Sequence, residues 1–349
     1  MEFKIGKRKI GDNYPPVIIA EIGINHNGSL DNAISLVDSA IKAGAEIVKH
    51  QTHIPYEEMS EEAKRVVPGN SNKSIFDIIQ KCTLNEASER KLMNYVKQKK
   101  RIFISTPFST AAADRLYKFG VPAFKIGSGE CNNFHFIKYL CKFKLPIIMS
   151  TGMNSLNNLK KSIQIIQKNK IPLALLHCTN IYPTAPHLVR LGCINEIKQR
   201  YPKCIVGLSD HTETNFSALG AVALGARIIE KHFTDKKERK GPDIICSMDT
   251  KELGDLIKGV NIIYEASVKK NNQFKKRAVA DEKKTIMFAF QSVVSLKKIN
   301  AGDALSFNNI GLKRPGTGFF KVKDFQKLIG RRVKKDIKAN IQIKRTDLK

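Results

Sequence analysis

Tryptophan is absent from this chain of 349 residues, and its seven cysteines are odd in number and nowhere spaced C-x-x-C. That usage argues against a disulfide framework and a paired-cysteine zinc knuckle, and fits a reducing compartment. No apolar run approaches the roughly 18 residues that a membrane span needs. The opening MEFKIGKRKIGDNY lacks the continuous apolar stretch of a secretory leader, so a cytoplasmic protein with no membrane partner is expected. Acidic residues are also scarce: 32 Asp and Glu stand against 60 Lys and Arg, a formal net charge of +28. The surplus is mostly lysine and spread along the whole chain. With no interleaved aromatic platform, helix-turn-helix or zinc-finger signature, no nucleic-acid partner is expected. A basic field of this kind would draw in a small polyanionic substrate.

What the chain does have is a repeated unit. The stretch from Gly207 to Phe233 shows it best: Ile205-Val206-Gly207-Leu208 stops at Ser209-Asp210-His211, and Ile228-Ile229 stops at Glu230-Lys231-His232. Between them Phe216 to Leu224 reads as a helix. Strand, helix, strand makes both strands parallel, so both polar tips fall at one sheet edge. His211 and His232 then stand side by side, where they either cap their strands or hold a divalent metal with positions left open.

The same grammar recurs upstream. Val17 to Ala20 ends at Glu21, and Ile47-Val48 ends in Lys49-His50-Gln51-Thr52-His53. Ile102 to Ile104, Ala123 to Ile126, Pro146 to Met149 and Leu173 to Leu176 each run into polar residues. Eight such units over roughly 230 residues predict a (β/α)8 TIM barrel; a doubly wound open sheet is the other solution. Lys4 to Ile10 fits a hairpin closing the barrel floor, and Ile54 to Leu84 reads as a long functional loop. The helical pattern through Ile263 closes a catalytic domain at 1–267, followed by a lysine-rich linker at 268–284. From 285 to 349, short alternating runs and turn residues predict a small β-rich module, marginal alone.

Active sites of barrels sit at the C-terminal mouth. There, side chains two apart share a face, so Lys49 pairs with Gln51, and Glu230 with His232 one layer above. His50 has the opposite parity and should pack outward. Lys49 and Lys125 supply cations, Gly127-Ser128-Gly129 exposes backbone amides, and Ser150, Thr151 and Asn180 add neutral donors. Cations, amides and hydroxyls on one rim suit a phosphate together with a carboxylate.

The motifs AEIGINHNG (20–28), KHQTHI (49–54), VPGN (67–70), ISTPFS (104–109), KIGSGECNN (125–133), STGMNS (150–155), LLHCTNIYPT (175–184), GLSDHT (207–212), EKHFTD (230–235), GPDIICSMD (241–249) and KRPGTG (313–318) resemble those of bacterial N-acetylneuraminate (sialic acid) synthases, in order, over nearly the whole chain. The resemblance implies a TIM barrel followed by an antifreeze-like (SAF) domain exchanged between the subunits of a homodimer. It implies condensation of phosphoenolpyruvate with N-acetylmannosamine, with C–O cleavage releasing phosphate. It implies manganese or magnesium on His211 and His232, with Glu21 and Glu130 beside the reacting centre. Lys49, Lys125, Ser128, Ser150 and Asn180 would hold phosphoenolpyruvate, and Gln51, Tyr182 and Asp243 the sugar hydroxyls. Arg314 would reach the N-acetyl end from the other subunit. Synthases of legionaminic or pseudaminic acid share this chemistry, although KHQTHI and KRPGTG look more like the N-acetylmannosamine-using group. A non-catalytic polyanion-binding protein is the reading from a different class. The role of the linker lysines is not legible.

Overall fold

A computed structural model describes residues 1–68, 72–267 and 276–349. Gly69 and Asn70 of the VPGN motif, and residues 268–275 of the expected linker, lie outside the described residues. The chain divides into two compact units, Met1–Val268 and Lys269–Lys349.

In the first unit eight parallel strands close on themselves. They are Val17–Gly23, Ile47–Thr52, Ile102–Pro107, Phe124–Ile126, Ile147–Ser150, Leu173–Cys178, Ile205–Asp210 and Ile228–His232. The last strand pairs with the first, setting His232 opposite Glu21, so the open-sheet alternative is excluded.

Alternation sorts each strand into two cores. Val17, Ile19, Ile47, Ile104, Ile148, Ala174, Leu176, Ile205 and Ile228 point inward and fill the lower lumen. Phe3, Ile5 and Ile10 of the antiparallel hairpin Glu2–Ile5 and Arg8–Gly11 join this cluster as its floor. The intervening residues, such as Ile18, Val48, Phe103, Met149 and Leu208, face outward beneath the helices. Gly207 keeps the lumen closed, because a Cβ there would overlap the Ile228 carbonyl and the Leu176 side chain.

The helices begin where short polar side chains can satisfy their free N–H groups. Ser29, Ser109 and Ser155 each accept from the amide three residues on, opening Leu30–Lys42, Thr110–Phe119 and Leu156–Lys168. Such caps contribute about 0.5–2 kcal/mol each. In Leu30–Lys42 the buried residues Ala33, Leu36, Val37 and Ala40 form the single stripe that a 3.6-residue period dictates.

Two expectations change. The stretch from Ile54 to Leu84 is not simply loop: it contains the helices Pro55–Glu58 and Ile75–Cys82. In the second unit a helix occupies Lys283–Ala289, across the start of the expected β-rich module. Beyond it Ser292–Ser295 pairs antiparallel with Ile310–Lys313. The remaining chain is joined by isolated bridges around a core that includes Val293, Ile310, Leu328, Val333 and Ile343.

Candidate active site

The alternation that fills the lower lumen with apolar side chains continues into charge one residue pair higher. Val17 and Ile19 are followed by Glu21, Ile47 by Lys49 and Gln51, Ala123 by Lys125, Ile148 by Ser150, and Ile228 by Glu230 and His232. At this level a cavity of about 720 Å³ opens. Its lining includes Glu21, Lys49, Gln51, Lys125, Ser128 and Glu130 from the first four strands and their loops. The other half contributes Ser150, Asn180, Tyr182, His211, Glu230, His232 and Asp243. Arg314 belongs to the other unit, exposed at the end of Ile310–Lys313. His50 turns outward, its ring buried beside Glu89 and stacked near Phe103.

Two lysines and two carboxylates are interleaved on the floor of this cavity, above the apolar lumen. The Lys49 ammonium pairs with Glu21, donates to Thr106 Oγ1 at 3.0 Å, and stands 3.9 Å from Glu230. Lys125 donates to Ser150 Oγ at 2.7 Å and lies 3.3 Å from Glu230 Oε1. Burial, reinforced by Lys125, lowers the Lys49 pKa to about 7 even though Glu230 opposes the shift. Burial alone would raise Glu230, but Lys125 and Lys49 together hold it below the usual carboxylate range. With Glu21 and Glu230 offsetting their repulsion, the two lysines present convergent charged donors that an anion in the cavity can accept from. Ser128 Oγ accepts from the Gly152 amide at 3.0 Å, so the two small-residue turns close on one another beside Lys125.

On the opposite wall the rings of His211 and His232 lie 5.4 Å apart, with Tyr182 stacked on His211 at 4.1 Å. Burial lowers both imidazole pKa values, and in His232 the neighbouring His211 adds to it. His211 Nδ1 lies 2.9 Å from the Thr179 carbonyl, which can only accept, so the neutral ring carries its lone pair on Nε2. His232 Nδ1 has no hydrogen-bond partner among the described residues, with Asp243 Oδ2 3.5 Å away. Two neutral imidazoles, one fixed in tautomer and one left unpartnered, suit a divalent cation. No group of three or more His, Cys, Asp or Glu gathers for a metal among the described residues. Of the residues present, the facing imidazoles of His211 and His232 are the ones whose chemistry fits a cation.

Behind the histidines the outward side chains are already satisfied. Lys231, fully buried, donates to Asp210 Oδ2 at 2.9 Å, and Asp210 also accepts from the Thr212 amide and hydroxyl. This pair ties together the two strand ends that carry the imidazoles. Glu130 sits differently from the floor carboxylates. Burial pushes its pKa up to about 7, with Glu58 adding to the shift and Lys125 opposing it. Near neutrality it can give or take a proton.

Thr106, Phe108, Cys178 and Ser209 also line the cavity, although the sequence reading did not single them out. Thr106 lies two residues above the lumenal Ile104 and Ser209 two below His211, so the parity rule would have found both. Phe108 sits in a loop past the strand end and gives no periodic signal.

A closed parallel barrel that gathers lysines, carboxylates and paired imidazoles at its C-terminal mouth defines the class: a (β/α)8 barrel with a charged cavity where this fold carries its active sites. Within that class the chain belongs to the NeuB family, whose model matches residues 36–272, and a SAF domain is matched at 290–349. It is 34% identical over 331 residues to the N,N'-diacetyllegionaminic acid synthase of Campylobacter jejuni, covering 93% of this chain and 97% of that protein. It is 31% identical to a pseudaminic acid synthase of the same species, covering 95% and 96%. Among solved structures it is similar to the N-acetylneuraminic acid synthetase of Leptospira borgpetersenii, determined with citrate, with a TM-score of 0.73 and 30% identity over 82% of this chain and 95% of that one. The chain is thus a member of the sialic-acid-type synthase family. No helix among its described residues is long and apolar enough to cross a membrane.

Proposed function

We propose that the chain is an N-acetylneuraminate synthase, condensing phosphoenolpyruvate with N-acetylmannosamine. The observation that carries this reading is the single cavity in which Lys49, Lys125, Ser128, Ser150 and Asn180 face the two imidazoles across Glu21 and Glu230. The cations and hydroxyls hold the phosphate and carboxylate of phosphoenolpyruvate, and Gln51, Tyr182 and Asp243 meet the sugar hydroxyls. His211 and His232 would hold a divalent cation, manganese or magnesium, which when bound supplies Lewis-acid polarisation of the open-chain aldehyde.

The enol carbon–carbon π pair forms the new bond to the aldehyde carbon, and the aldehyde oxygen takes up a proton. This leaves positive charge on the carbon that bears phosphate. Glu21, paired with Lys49, faces that charge and stabilises it. Water adds there while Glu130 accepts its proton, and the tetrahedral carbon then expels phosphate with the C–O bond electrons as its new hydroxyl passes its proton to the departing phosphate, leaving the keto group. The small domain, exchanged between two copies of the chain, brings Arg314 to the N-acetyl group.

A second reading is favoured by the likeness to the C. jejuni enzymes: the sugar is the precursor of legionaminic or pseudaminic acid. Phosphate release with phosphoenolpyruvate, manganese and each of the three sugars separates them. Release with N-acetylmannosamine supports the first reading, and release confined to a di-N-acetylated sugar replaces it with the second. No sugar-dependent release would remove both. His211→Ala should lower bound manganese measured by elemental analysis, and unchanged metal content would dismiss the imidazole pair as its holder.

A further inference from the structure

The long connection after the second barrel strand returns a carboxylate to the site. His53 Nδ1 lies 2.8 Å from Glu58 Oε1, and His53 Nε2 lies 3.1 Å from Gln51 Oε1. Both partners are only slightly exposed, at 4% and 6% of the His53 and Glu58 side chains. The ring is stacked on Phe108 at 4.2 Å and 12°, so it has no freedom to tilt. Phe108 and Gln51 both line the cavity, whereas His53 and Glu58 do not touch it.

The other end of the Gln51 carboxamide points to the lumen. Its Nε2 lies 3.1 Å from where a Cβ on Gly23 would sit, and Glu21 Oε1 lies 2.9 Å from the same point. Gly23 has φ +45°, a conformation that glycine adopts without strain, and its missing side chain leaves the amide room to enter. A carboxamide is nearly symmetric in shape but not in chemistry: one face donates and the other accepts. Both ring nitrogens of His53 face acceptor oxygens, so the ring donates from both only as an imidazolium held by the Glu58 carboxylate, and its Nε2–H on the Gln51 oxygen then decides which face the substrate meets.

We propose that Glu58 and His53 are positioning residues that hold the Gln51 carboxamide with its NH2 group presented to the sugar. This inference rests on the reading of Gln51 as a sugar contact. The structural alternative is that the buried pair only docks Pro55–Glu58 against the barrel. The two differ in what they do to the substrates separately. Glu58→Gln keeps the size and an acceptor oxygen but removes the charge that holds the ring. A lost hydrogen bond to a charged group is worth about tenfold or more, so KM for the sugar should rise about tenfold. KM for phosphoenolpyruvate, held on the far side of the cavity, should stay within about twofold.

The deciding measurement is the cycle with Gln51→Ala. With Gln51 already removed, Glu58→Gln and His53→Asn should add no further change to the sugar KM. A full additional loss in that background, or an equal rise in both KM values, overturns the proposal. If wild-type protein turns over none of the three sugars, the functional reading fails by itself. The positioning chain is then read without turnover, from the side-chain NH2 resonances of Gln51, identified by their loss in Gln51→Ala, in 15N-labelled wild-type and Glu58→Gln protein. Displaced resonances support the chain, and unchanged ones overturn it.

Discussion

The lower and upper halves of the same eight strands follow one rule of alternation to opposite ends. Below, Ile19, Ile47, Ile104, Ile148 and Ile228 meet one another and the hairpin residues Phe3, Ile5 and Ile10. Above, the next inward positions hold Glu21, Lys49, Thr106, Ser150 and Glu230. An apolar layer is complete once packed, because dispersion and exclusion of water need no particular partner. A polar layer is complete only when every donor and acceptor is met, and here Glu230 Oε2 and His232 Nδ1 are not. The difference teaches where to look for chemistry. The lower half stabilises the barrel, and the upper half holds buried charge that a bound anion and cation would complete.

The sharpest way to break the comparison is to make the upper half resemble the lower. Lys125→Met combined with Glu230→Met should abolish turnover. Replacing a buried ion pair by apolar groups of similar size is often neutral or stabilising by about 1–4 kcal/mol. Urea unfolding should therefore show stability held or raised, and a large loss would mean that the charged floor supports the fold. The converse change, at the opposite end, is Ile5→Ala. Removing a fully buried isoleucine should cost about 2–5 kcal/mol. Turnover per folded molecule should be unchanged, since Ile5 lies in the floor hairpin, and a fall in kcat at temperatures where the variant is folded would link floor to mouth.

How much of this was legible follows from the same contrast. Period-two patterning writes the strands and their tips directly into the sequence, which is why Lys49, Lys125, Glu230 and His232 could be expected at one rim. His50 could be expected on the outer face for the same reason. Where geometry is not periodic the reading stops. The helix Pro55–Glu58 is too short to show a hydrophobic period, so the return of Glu58 to His53 was hidden although only five positions separate them. Lys283–Ala289 is a helix with no buried residue among its seven, and without an apolar stripe its sequence does not announce it. Among the described residues of the small unit only two short strands pair regularly, and isolated bridges leave no alternation to read. Thr106 and Ser209 are a different kind of omission: their parity was available, and hydroxyls at strand tips drew less attention than charges.

The smallest effect separates Glu130 from the floor carboxylates. Burial raises its pKa to about 7, whereas Glu230, more deeply buried, is pulled down by Lys125 and Lys49. A carboxyl whose folded pKa lies above its unfolded value binds its proton more tightly in the folded state. Its contribution to stability is therefore complete below about pH 4.5 and is lost as pH rises through about 7. The scale is on the order of 1–3 kcal/mol, because the group is not wholly sealed from solvent. Glu130→Gln fixes the neutral form. Relative to wild type it should gain stability steadily from about pH 4.5 to 7 and hold that gain above. The same variant should lose about a hundredfold in kcat, the usual worth of a positioned proton acceptor, with KM for phosphoenolpyruvate unchanged. Lys49 and Asp243 titrate in the same range, but they are common to both proteins and largely cancel in the difference. A stability difference that stays flat with pH would mean that Glu130 is ionised like its neighbours, and a wild-type rate in the variant would take the proton away from it altogether.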